Sequence, residues 1–384
     1  MFKAIASLGL VVSAMVFVSC TAPTPVRLNP DGIGFVDGKD NPKLFSIEEA
    51  MARHGVPGLS VAVIRGGELA WAKGYGVLQA GGDRPVDTET VFSVASVSKL
   101  VNAALILGMV EAGELELDRD VEAYLMSWGF PENRYTRAGD VTLRRLLSHT
   151  AGTTVQAFAD YQPGEELPTT VEILEGRGPA KNKRVRVNRP IGRRMKYSGG
   201  GVTVTQLVVE DVTGRRYAEA AAARLFEPLG MTRSSFENPL PASHGNIAKA
   251  HDVQGRPRAL PRGYEAMPEA ASSGLWTTPT DLARLMIVLM DAYEGQAGGL
   301  ISPVLVRDMM TEVSPGPFGL GPALNGEDET RVFEHTGSNE SYKALIYANL
   351  ATKDGIVVLT NGANGRHVRD EVLRAFKVAG GIDY

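Results

Sequence analysis

Strand-like segments occur at both ends of this chain, and the residues between them favour helices. Near the N-terminus, the apolar runs 59–64 and 69–75 are separated by Gly66 and Gly67, a pattern that predicts a β-hairpin. The last third of the chain has three more strand-like runs, at 331–335, 342–350 and 355–359, followed by a helical pattern over 365–378. A sheet that draws on both ends requires the middle of the chain to leave it and return. The sequence therefore predicts an α+β fold with an inserted, mainly helical lobe.

Helical patterns fill the middle of the chain. They cover residues 98–111, 142–148, 202–212, 217–226 and 280–293. A further short helix is expected over 46–54, because Ser46 followed by Glu49 forms a capping-box pattern. We therefore predict one domain over residues 45–380. Its sheet lobe takes about 45–92 and 300–380, and its helical lobe takes about 93–299.

Composition indicates a globular protein rather than a nucleic-acid-binding one. The chain has 384 residues, of which 43% are hydrophobic, and this length can supply two lobes with a substantial core. The formal net charge is −4, which gives no general attraction for nucleic acid. A single cysteine excludes an internal disulfide. No zinc-binding or Gly-x-Ser-x-Gly motif occurs, so we expect neither a metal nor an organic cofactor.

The first twenty residues have the form of an export signal. Lys3 is followed by an apolar stretch over 4–18, which is short for a membrane span and suits a signal peptide. Cys20 ends this segment and resembles the lipidated cysteine of a bacterial lipobox, although Phe17 stands where leucine is usual. We expect a lipoprotein signal over 1–20 and a flexible tether over 21–44. An ordinary signal peptide with an incidental cysteine, or an uncleaved anchor, is the alternative interpretation, and all three place the protein outside the cytoplasm.

The segment Ser96-Val97-Ser98-Lys99 has the composition of a nucleophile with a nearby base. Ser96 lies at or near the start of the helix predicted over 98–111, where serine is a preferred cap and backbone N–H groups favour negative charge. Lys99, three residues on, shares the face of Ser96. Apolar neighbours and the helix N-terminus disfavour its ammonium form, which would bring the Lys99 pKa toward the range of a general base. The alternative is a capping serine beside a solvated lysine.

Two further motifs lie far along the chain. Tyr197-Ser198-Gly199 offers a phenol, and His335-Thr336-Gly337 ends a predicted strand with a glycine that would let a substrate backbone approach closely. Taken alone, the second motif favours a strand that simply ends at a glycine turn. Ser148 and His149 are adjacent and could be taken for a catalytic Ser–His pair. We expect a structural role for His149, because adjacent helical residues point in different directions.

Taken together, these motifs resemble the penicillin-binding-protein and class C β-lactamase superfamily, which includes D-alanyl-D-alanine carboxypeptidases, D-aminopeptidases and family VIII-type esterases. The resemblance covers about residues 45–378 and extends to the segments 74–76, 146–152, 228–231 and 273–279. It implies a β-lactamase/DD-peptidase-like fold, with an antiparallel sheet flanked by helices and an active site in the cleft between the lobes.

The resemblance also implies roles for the motif residues. Ser96 would be the nucleophile, Lys99 its base and Tyr197 a second proton carrier. The backbone N–H groups of Ser96 and Ser338 would form the oxyanion hole. The remaining motif positions would bind substrate, and they are His335, Thr336, Gly337 and Gly199.

Eight basic residues crowd the sixteen positions 181–196, just before Tyr197. Together with Lys99, cations such as Arg193, Arg194 and Lys196 would lower the pKa of the Tyr197 phenol toward neutral. For most of these side chains we favour a solvated, strand-like edge, with one or two facing the cleft and favouring anionic substrates.

Two departures from the family pattern bear on substrate. Gly199 replaces the asparagine that grips an acylamide group, and His335 replaces the lysine of classical β-lactamases. Both changes point away from β-lactams. We therefore expect an exported serine hydrolase that forms an acyl-enzyme on Ser96 and cleaves small acyl esters. The alternatives are a D-Ala-D-Ala-type carboxypeptidase or D-aminopeptidase, a weak β-lactamase, or a catalytically silent penicillin- or cell-wall-peptide-binding protein. Expected partners are an ester or D-amino-acid peptide substrate and, through Cys20, a membrane, with no nucleic acid.

Overall fold

A six-stranded antiparallel sheet organises the fold in a computed structural model that describes residues 28–29, 32–34, 44–162, 164–297 and 299–379. The strands of the described chain are β1 (Leu28–Asn29), β2 (Gly32–Gly34), β3 (Leu44–Phe45), β4 (Gly58–Arg65), β5 (Glu68–Gly76), β6 (Phe92–Ser93), β7 (Trp276–Thr277), β8 (Ala323–Asn325), β9 (Val332–Ser338), β10 (Lys343–Asn349) and β11 (Gly355–Thr360). The sheet order is β5-β4-β11-β10-β9-β8, so the N-terminal hairpin joins three C-terminal strands. This confirms the prediction that the sheet draws on both ends of the chain.

Helices cover both faces of the sheet and form the lobe beside it. They are α1 (Ile47–His54), α2 (Ser98–Glu111), α3 (Leu143–Leu147), α4 (Thr170–Glu175), α5 (Gly199–Thr213), α6 (Tyr217–Ala221), α7 (Glu227–Leu229), α8 (Ala270–Ser273), α9 (Pro279–Glu294), α10 (Pro303–Met309) and α11 (Gly365–Ala379). A π-helical stretch, Ala222–Phe226, joins α6 to α7. In the described chain, no helix has the length and apolar character needed to cross a membrane.

Strand β4 shows how the sheet separates two layers of core. Val61 and Val63 pack with residues of α1 and α11, whereas Ala62 and Ile64 pack with residues of α2 and α9. Alternate side chains of a strand point to opposite faces, so a strand that is buried on both faces is apolar throughout. Because α9 packs on the sheet, it belongs with the sheet lobe, although the predicted boundary near residue 299 places it in the helical lobe.

Most predicted elements are present with small shifts at their ends. The capping box at Ser46 and Glu49 is formed in full. Helix α5 begins at Gly199, three residues before the predicted start, because the Ser198 hydroxyl caps it by accepting a hydrogen bond from Gly201 N–H at 2.9 Å. Part of the predicted tether is paired: β1 and β2 lie within 21–44 and form a small sheet with β3. The predicted signal segment, including Cys20, lies outside the described residues.

Candidate active site

Ser96 lies in a tight turn between β6 and α2. The turn is a 3₁₀ segment, Ala95–Val97, that begins with Ala95 at a φ of 45°, a left-handed conformation that costs energy for a residue with a Cβ. Ser98 holds this segment in place, because its hydroxyl donates to Ala95 O at 2.6 Å and accepts from Leu275 N–H at 3.0 Å. Ser96 makes no capping hydrogen bond to α2, contrary to the expected cap. Its hydroxyl is therefore available to other groups.

Lys99 directs its amine at that hydroxyl. Its Nζ donates to Ser96 Oγ at 3.2 Å and to the backbone carbonyl of Ser272 at 2.7 Å. The side chain is 2% exposed, and burial lowers the pKa of Lys99 to about 7. This agrees with the shift predicted from its apolar neighbours. At neutral pH a large share of Lys99 is an uncharged amine that can accept a proton.

Tyr197 lies over the same two groups. Its ring centroid is 5.0 Å from Lys99 Nζ, and its side chain forms a hydrogen bond with Ser96. Burial raises the pKa of the phenol to about 12, and the hydrogen bond with Ser96 offsets only part of that rise. The prediction that nearby cations lower the Tyr197 pKa is therefore wrong. The lysines and arginines of the stretch 183–196 are exposed to solvent. Desolvation of the phenol is therefore the main influence on the Tyr197 pKa.

His149 is a member of this cluster that the sequence did not single out for catalysis. Its side chain is 2% exposed, and its Nδ1 accepts a hydrogen bond from Ser198 N–H at 3.3 Å. An accepting Nδ1 places the ring proton on Nε2. Burial is the main cause that holds the His149 pKa well below its ordinary value, and the nearby Lys99 charge adds to it. The ring is thus a neutral wall of the site, and no short-range spacing in the sequence connects it with Tyr197.

Strand β9 brings the third motif against the turn that carries Ser96. A Cβ at Gly337 would overlap the backbone carbonyl of Val94, so only glycine allows this approach. Glycine at 337 is thus required by a contact within the protein, and the approach of a substrate backbone at this position stays a prediction. Strand β8 pairs with β9 only up to Glu334, which leaves the edge from His335 to Ser338 without a strand partner among the described residues. A free strand edge can align an extended substrate.

His335 is buried rather than presented to solvent. Its ring is 6% exposed, and its Nδ1 donates to the carbonyl of Thr336 at 2.9 Å. Burial, followed by the Lys99 charge, lowers the pKa of His335 to about 3. His335 is therefore neutral at pH 7 and supplies no positive charge for a substrate carboxylate.

Gly199 lies at the start of α5 in a closed environment. A Cβ there would lie 2.8 Å from Ser272 Oγ and 2.9 Å from Cε2 of Phe158. The space that an asparagine side chain would need at this position is thus occupied by Phe158 and Ser272.

A cavity of about 300 Å³ opens above Ser96. It is lined by Ser96, Tyr197, Phe318, Ala323, Glu334, His335, Thr336 and Ser338. Ser338, the expected second oxyanion donor, lies in this lining together with Ser96. Of the four predicted substrate-binding positions, His335 and Thr336 also line the cavity, whereas Gly337 and Gly199 are buried and do not. Among the residues described, no cluster of His, Cys, Asp and Glu could hold a metal ion.

A family model for Beta-lactamase matches residues 46–379. The chain belongs to the beta-lactamase family. As a member of this family it is a serine hydrolase with the beta-lactamase/transpeptidase-like fold: the antiparallel sheet, the flanking helices and the cleft that holds Ser96.

Individual relatives carry several different names. Penicillin-binding protein 4 of Amycolatopsis lactamdurans is 28% identical over 80% of this chain and 82% of its own length. Teichoic acid D-alanine hydrolase of Staphylococcus aureus is 23% identical over 91% of this chain and 83% of its own. Among solved structures, the octameric penicillin-binding protein homologue from Pyrococcus abyssi superposes with a TM-score of 0.70 at 24% identity, covering 87% of this chain and 76% of the other. The last comparison establishes the fold alone.

Proposed function

We propose that this beta-lactamase-family hydrolase cleaves small acyl esters through an acyl-enzyme on Ser96. The observation that carries the proposal is the buried amine of Lys99, 3.2 Å from Ser96 Oγ, with a pKa of about 7. A serine hydroxyl is a weak nucleophile until a nearby base removes its proton, and an uncharged lysine can do so. In the first step Lys99 takes that proton while Oγ attacks the ester carbonyl. The backbone N–H groups of Ser96 and Ser338 would stabilise the resulting oxyanion.

Tyr197 completes the proton transfer in this proposal. With a pKa of about 12, its hydroxyl stays protonated at neutral pH and can act as a donor. It gives its proton to the leaving alkoxide and regains one from the Lys99 ammonium, so the alcohol departs neutral and the acyl group remains on Ser96. Water then attacks the acyl-enzyme while Lys99 accepts a proton from it. Lys99 returns that proton to Ser96 Oγ as the acyl C–O bond breaks, which releases the carboxylic acid and restores the Ser96 hydroxyl.

Two features of the cleft support esters over β-lactams. Gly199 offers no side-chain amide, and its surroundings are filled by Phe158 and Ser272. His335 is neutral and buried, so it is a poor partner for the carboxylate of a β-lactam. A short ester needs neither contact, because the nucleophile and the oxyanion hole act on its carbonyl alone.

Hydrolysis of D-alanyl esters or peptides is the second candidate. It is supported by one relative, the staphylococcal teichoic acid D-alanine hydrolase, whose similarity extends over 91% of this chain. The chemistry at Ser96 would be the same, and only the acyl group would differ. A catalytically silent binding protein is less well supported, because Ser96, Lys99 and Tyr197 are all present and in contact.

A panel of substrates on one purified sample tests these alternatives. p-Nitrophenyl acetate and butyrate report the esterase, D-Ala-D-Ala peptides the carboxypeptidase, D-alanyl glycerol esters the D-alanine hydrolase, and nitrocefin the β-lactamase. Ser96→Ala is the control for background hydrolysis. We expect turnover of the short esters that is lost in this variant. A stable penicillin adduct without turnover of any substrate would instead support the silent binding protein.

Export by a lipoprotein signal is also part of the proposal. It is supported by the apolar segment 4–18 followed by Cys20. Mass spectrometry of the native protein should find an N-terminal lipidated Cys20, and Cys20→Ser should accumulate as an unlipidated precursor. Cleavage at another site, with Cys20 removed or unmodified, would contradict lipidation.

A further inference from the structure

The segment that leads to Tyr197 carries a dense block of positive charge. Seven basic side chains of this segment are exposed, and none of them forms an ion pair with any residue that the structure describes. They are Lys183, Arg184, Arg186, Arg189, Arg193, Arg194 and Lys196. We call this set the basic surface. The preceding cations are different, because Arg177 pairs with Glu175 and Lys181 pairs with Glu165.

This charge contrasts with the rest of the chain. The whole protein has a formal net charge of −4, so the remainder of the sequence carries a net charge of −11 when the seven cations are set aside. An unpaired block of one sign inside an acidic protein costs energy through self-repulsion. A bound anion would relieve that repulsion. Solubility alone does not require such a block, because a surface of mixed charges keeps a protein equally soluble.

A groove runs beside the basic surface. Its volume is about 480 Å³. It is lined by Thr154, Val155, Ala157, Asn182, Lys183, Arg184 and Arg186. Two hydrogen bonds hold its walls together: Thr154 N–H donates to Arg186 O at 3.0 Å, and Arg186 N–H donates to Thr154 Oγ1 at 3.0 Å. Val185 and Val187 are buried, so the neighbouring arginines at 184 and 186 both project outward.

One loop connects the groove with the segment that carries Tyr197 of the catalytic cleft. The loop that lines the groove accepts the Ser198 hydroxyl at Thr154 O, 2.7 Å away, and Gly200 N–H at Val155 O, 2.9 Å away. Ser198 directly follows Tyr197. A long molecule seated on the basic surface would therefore lie next to the cleft that contains Ser96.

We propose that the basic surface binds a linear polymer of phosphodiester units, such as a poly(glycerol phosphate) chain. Alternate residues on an extended backbone are about 6–7 Å apart, which matches the spacing of successive phosphates on an extended chain. Arginine suits phosphate because its planar fork donates two parallel hydrogen bonds. The surface is concave at the groove. A single polymer chain can lie in such a groove, whereas a flat bilayer would contact only its rim. Residues 181–196 contain no aromatic side chain on which nucleic-acid bases could stack, so a polymer without bases fits better.

The proposal is independent of the acyl group cleaved at Ser96, and binding can be measured without turnover. The probe is an end-labelled synthetic glycerol phosphate oligomer, and the readout is fluorescence anisotropy at low and at physiological salt. The test variant is Arg184→Glu/Arg186→Glu. Its matched control is Arg215→Glu/Arg374→Glu, since those two arginines are also exposed and form no ion pair within the described chain. Both variants change the net charge equally.

We expect the wild-type protein to bind the oligomer with a Kd that rises steeply with salt, because counterions are released from the phosphates. Arg184→Glu/Arg186→Glu should raise the Kd about tenfold or more, whereas the control should change it by about twofold or less. Both variants should keep wild-type turnover of p-nitrophenyl butyrate, which shows that they fold. Equal loss of binding in the two variants would overturn the proposal. So would oligothymidylate of equal phosphate number binding several-fold more tightly, or phosphatidylglycerol vesicles binding through these arginines while the oligomer does not.

Discussion

The imidazole ring of His149 packs on the phenol ring of Tyr197, with 4.3 Å between their centroids. His149 also binds the backbone on both sides of Tyr197: its carbonyl accepts from Lys196 N–H at 2.8 Å, and its Nδ1 accepts from Ser198 N–H. His149 has a φ of 60°, which is unfavourable for a residue with a side chain of this size. The fold thus maintains a strained residue that contacts Tyr197 and both of its neighbours. We infer that His149 positions the phenol over Ser96.

Two substitutions separate the contributions of His149. His149→Phe keeps an aromatic ring but loses the Nδ1 acceptor, and His149→Asn keeps an acceptor and tolerates the positive φ but loses the ring. We expect each to lower kcat for a short ester about tenfold or more with little change in KM, since misplacing a reacting group slows the chemical step. The acid limb of the pH–rate profile should remain near pH 7, where Lys99 titrates. A fall in activity that only follows the fraction of folded protein would indicate a structural role alone.

Ser96→Ala should abolish turnover and leave the fold intact. Because the Ser96 hydroxyl makes no capping bond to α2, its removal should change the free energy of unfolding by less than the roughly 1 kcal/mol typical of a helix cap. A fluorophosphonate probe should label Ser96. The nearby Ser148 and Ser198 should stay unlabelled, because their hydroxyls donate to Arg144 O and Thr154 O, both at 2.7 Å. Labelling at either of them would contradict the assignment of the nucleophile.

Lys99→Met should lower catalytic activity and raise thermal stability. Loss of the base should lower kcat/KM by about 10²–10⁴-fold. In the wild type, burial lowers the Lys99 pKa from 10.5 to about 7, so between these values the unfolded chain binds more protons than the folded one. Wild-type stability from this group therefore rises as the pH increases from 7 to 10.5 and is smallest below 7. Lys99→Met should raise Tm at pH 7 by about 2 °C or more, with a smaller gain at pH 10. A gain that does not change with pH would show that Lys99 is not the titrating group.

Gly337→Ala tests the contact between β9 and the turn that carries Ser96. The added methyl would overlap the Val94 carbonyl, so the two segments must separate. We expect a loss of several degrees in Tm and a fall in ester turnover beyond the loss of folded protein. For the change in Tm, Thr336→Ala is the matched control, since this neighbouring residue is exposed and its truncation should leave Tm nearly unchanged. Turnover is not compared with this control, because Thr336 lines the cleft. Equal losses of Tm in the two variants would mean that the Val94 contact has no special importance.

The sequence predicted the elements that depend on local pattern. The hairpin of β4 and β5 follows from two apolar runs around a glycine pair, and α1 follows from its capping box at Ser46. The direction of the Lys99 pKa shift also follows from its apolar neighbours. In each case the determining residues are close together in the chain.

The sequence did not predict what depends on contacts between distant segments. Burial raises the Tyr197 pKa, and the rings packed against the phenol, those of His149 and Phe318, come from distant parts of the chain. Neighbouring cations give no indication of this burial. His149 was assigned a structural role only because it directly follows Ser148, and its contact with Tyr197, 48 residues later, leaves no signal in the sequence. The partner of Gly337 is likewise 243 positions away, at Val94.

The substrate ranking gives the last prediction. Without an amide at position 199 a β-lactam loses a hydrogen bond, and with a neutral His335 its carboxylate loses a charge-assisted contact. Together these losses are worth about 2–4.5 kcal/mol, or roughly 30- to 2000-fold in kcat/KM if both act in the transition state. We expect p-nitrophenyl butyrate to be hydrolysed with a clearly higher kcat/KM than nitrocefin.

Replacing Gly199 with asparagine tests the same ranking by supplying the amide that the cleft lacks. Gly199→Asn supplies an amide, but its Cβ would meet Ser272 Oγ at 2.8 Å and Phe158 at 2.9 Å. The single substitution should therefore fail to raise nitrocefin turnover and should lower Tm, whereas Gly199→Asn/Phe158→Ala gives the amide some room. A rise in nitrocefin kcat/KM in the double variant, but not in the single one, would show that Phe158 closes the acylamide position. A wild-type kcat/KM for nitrocefin equal to or above that for the ester would show that other residues of the cleft recognise β-lactams.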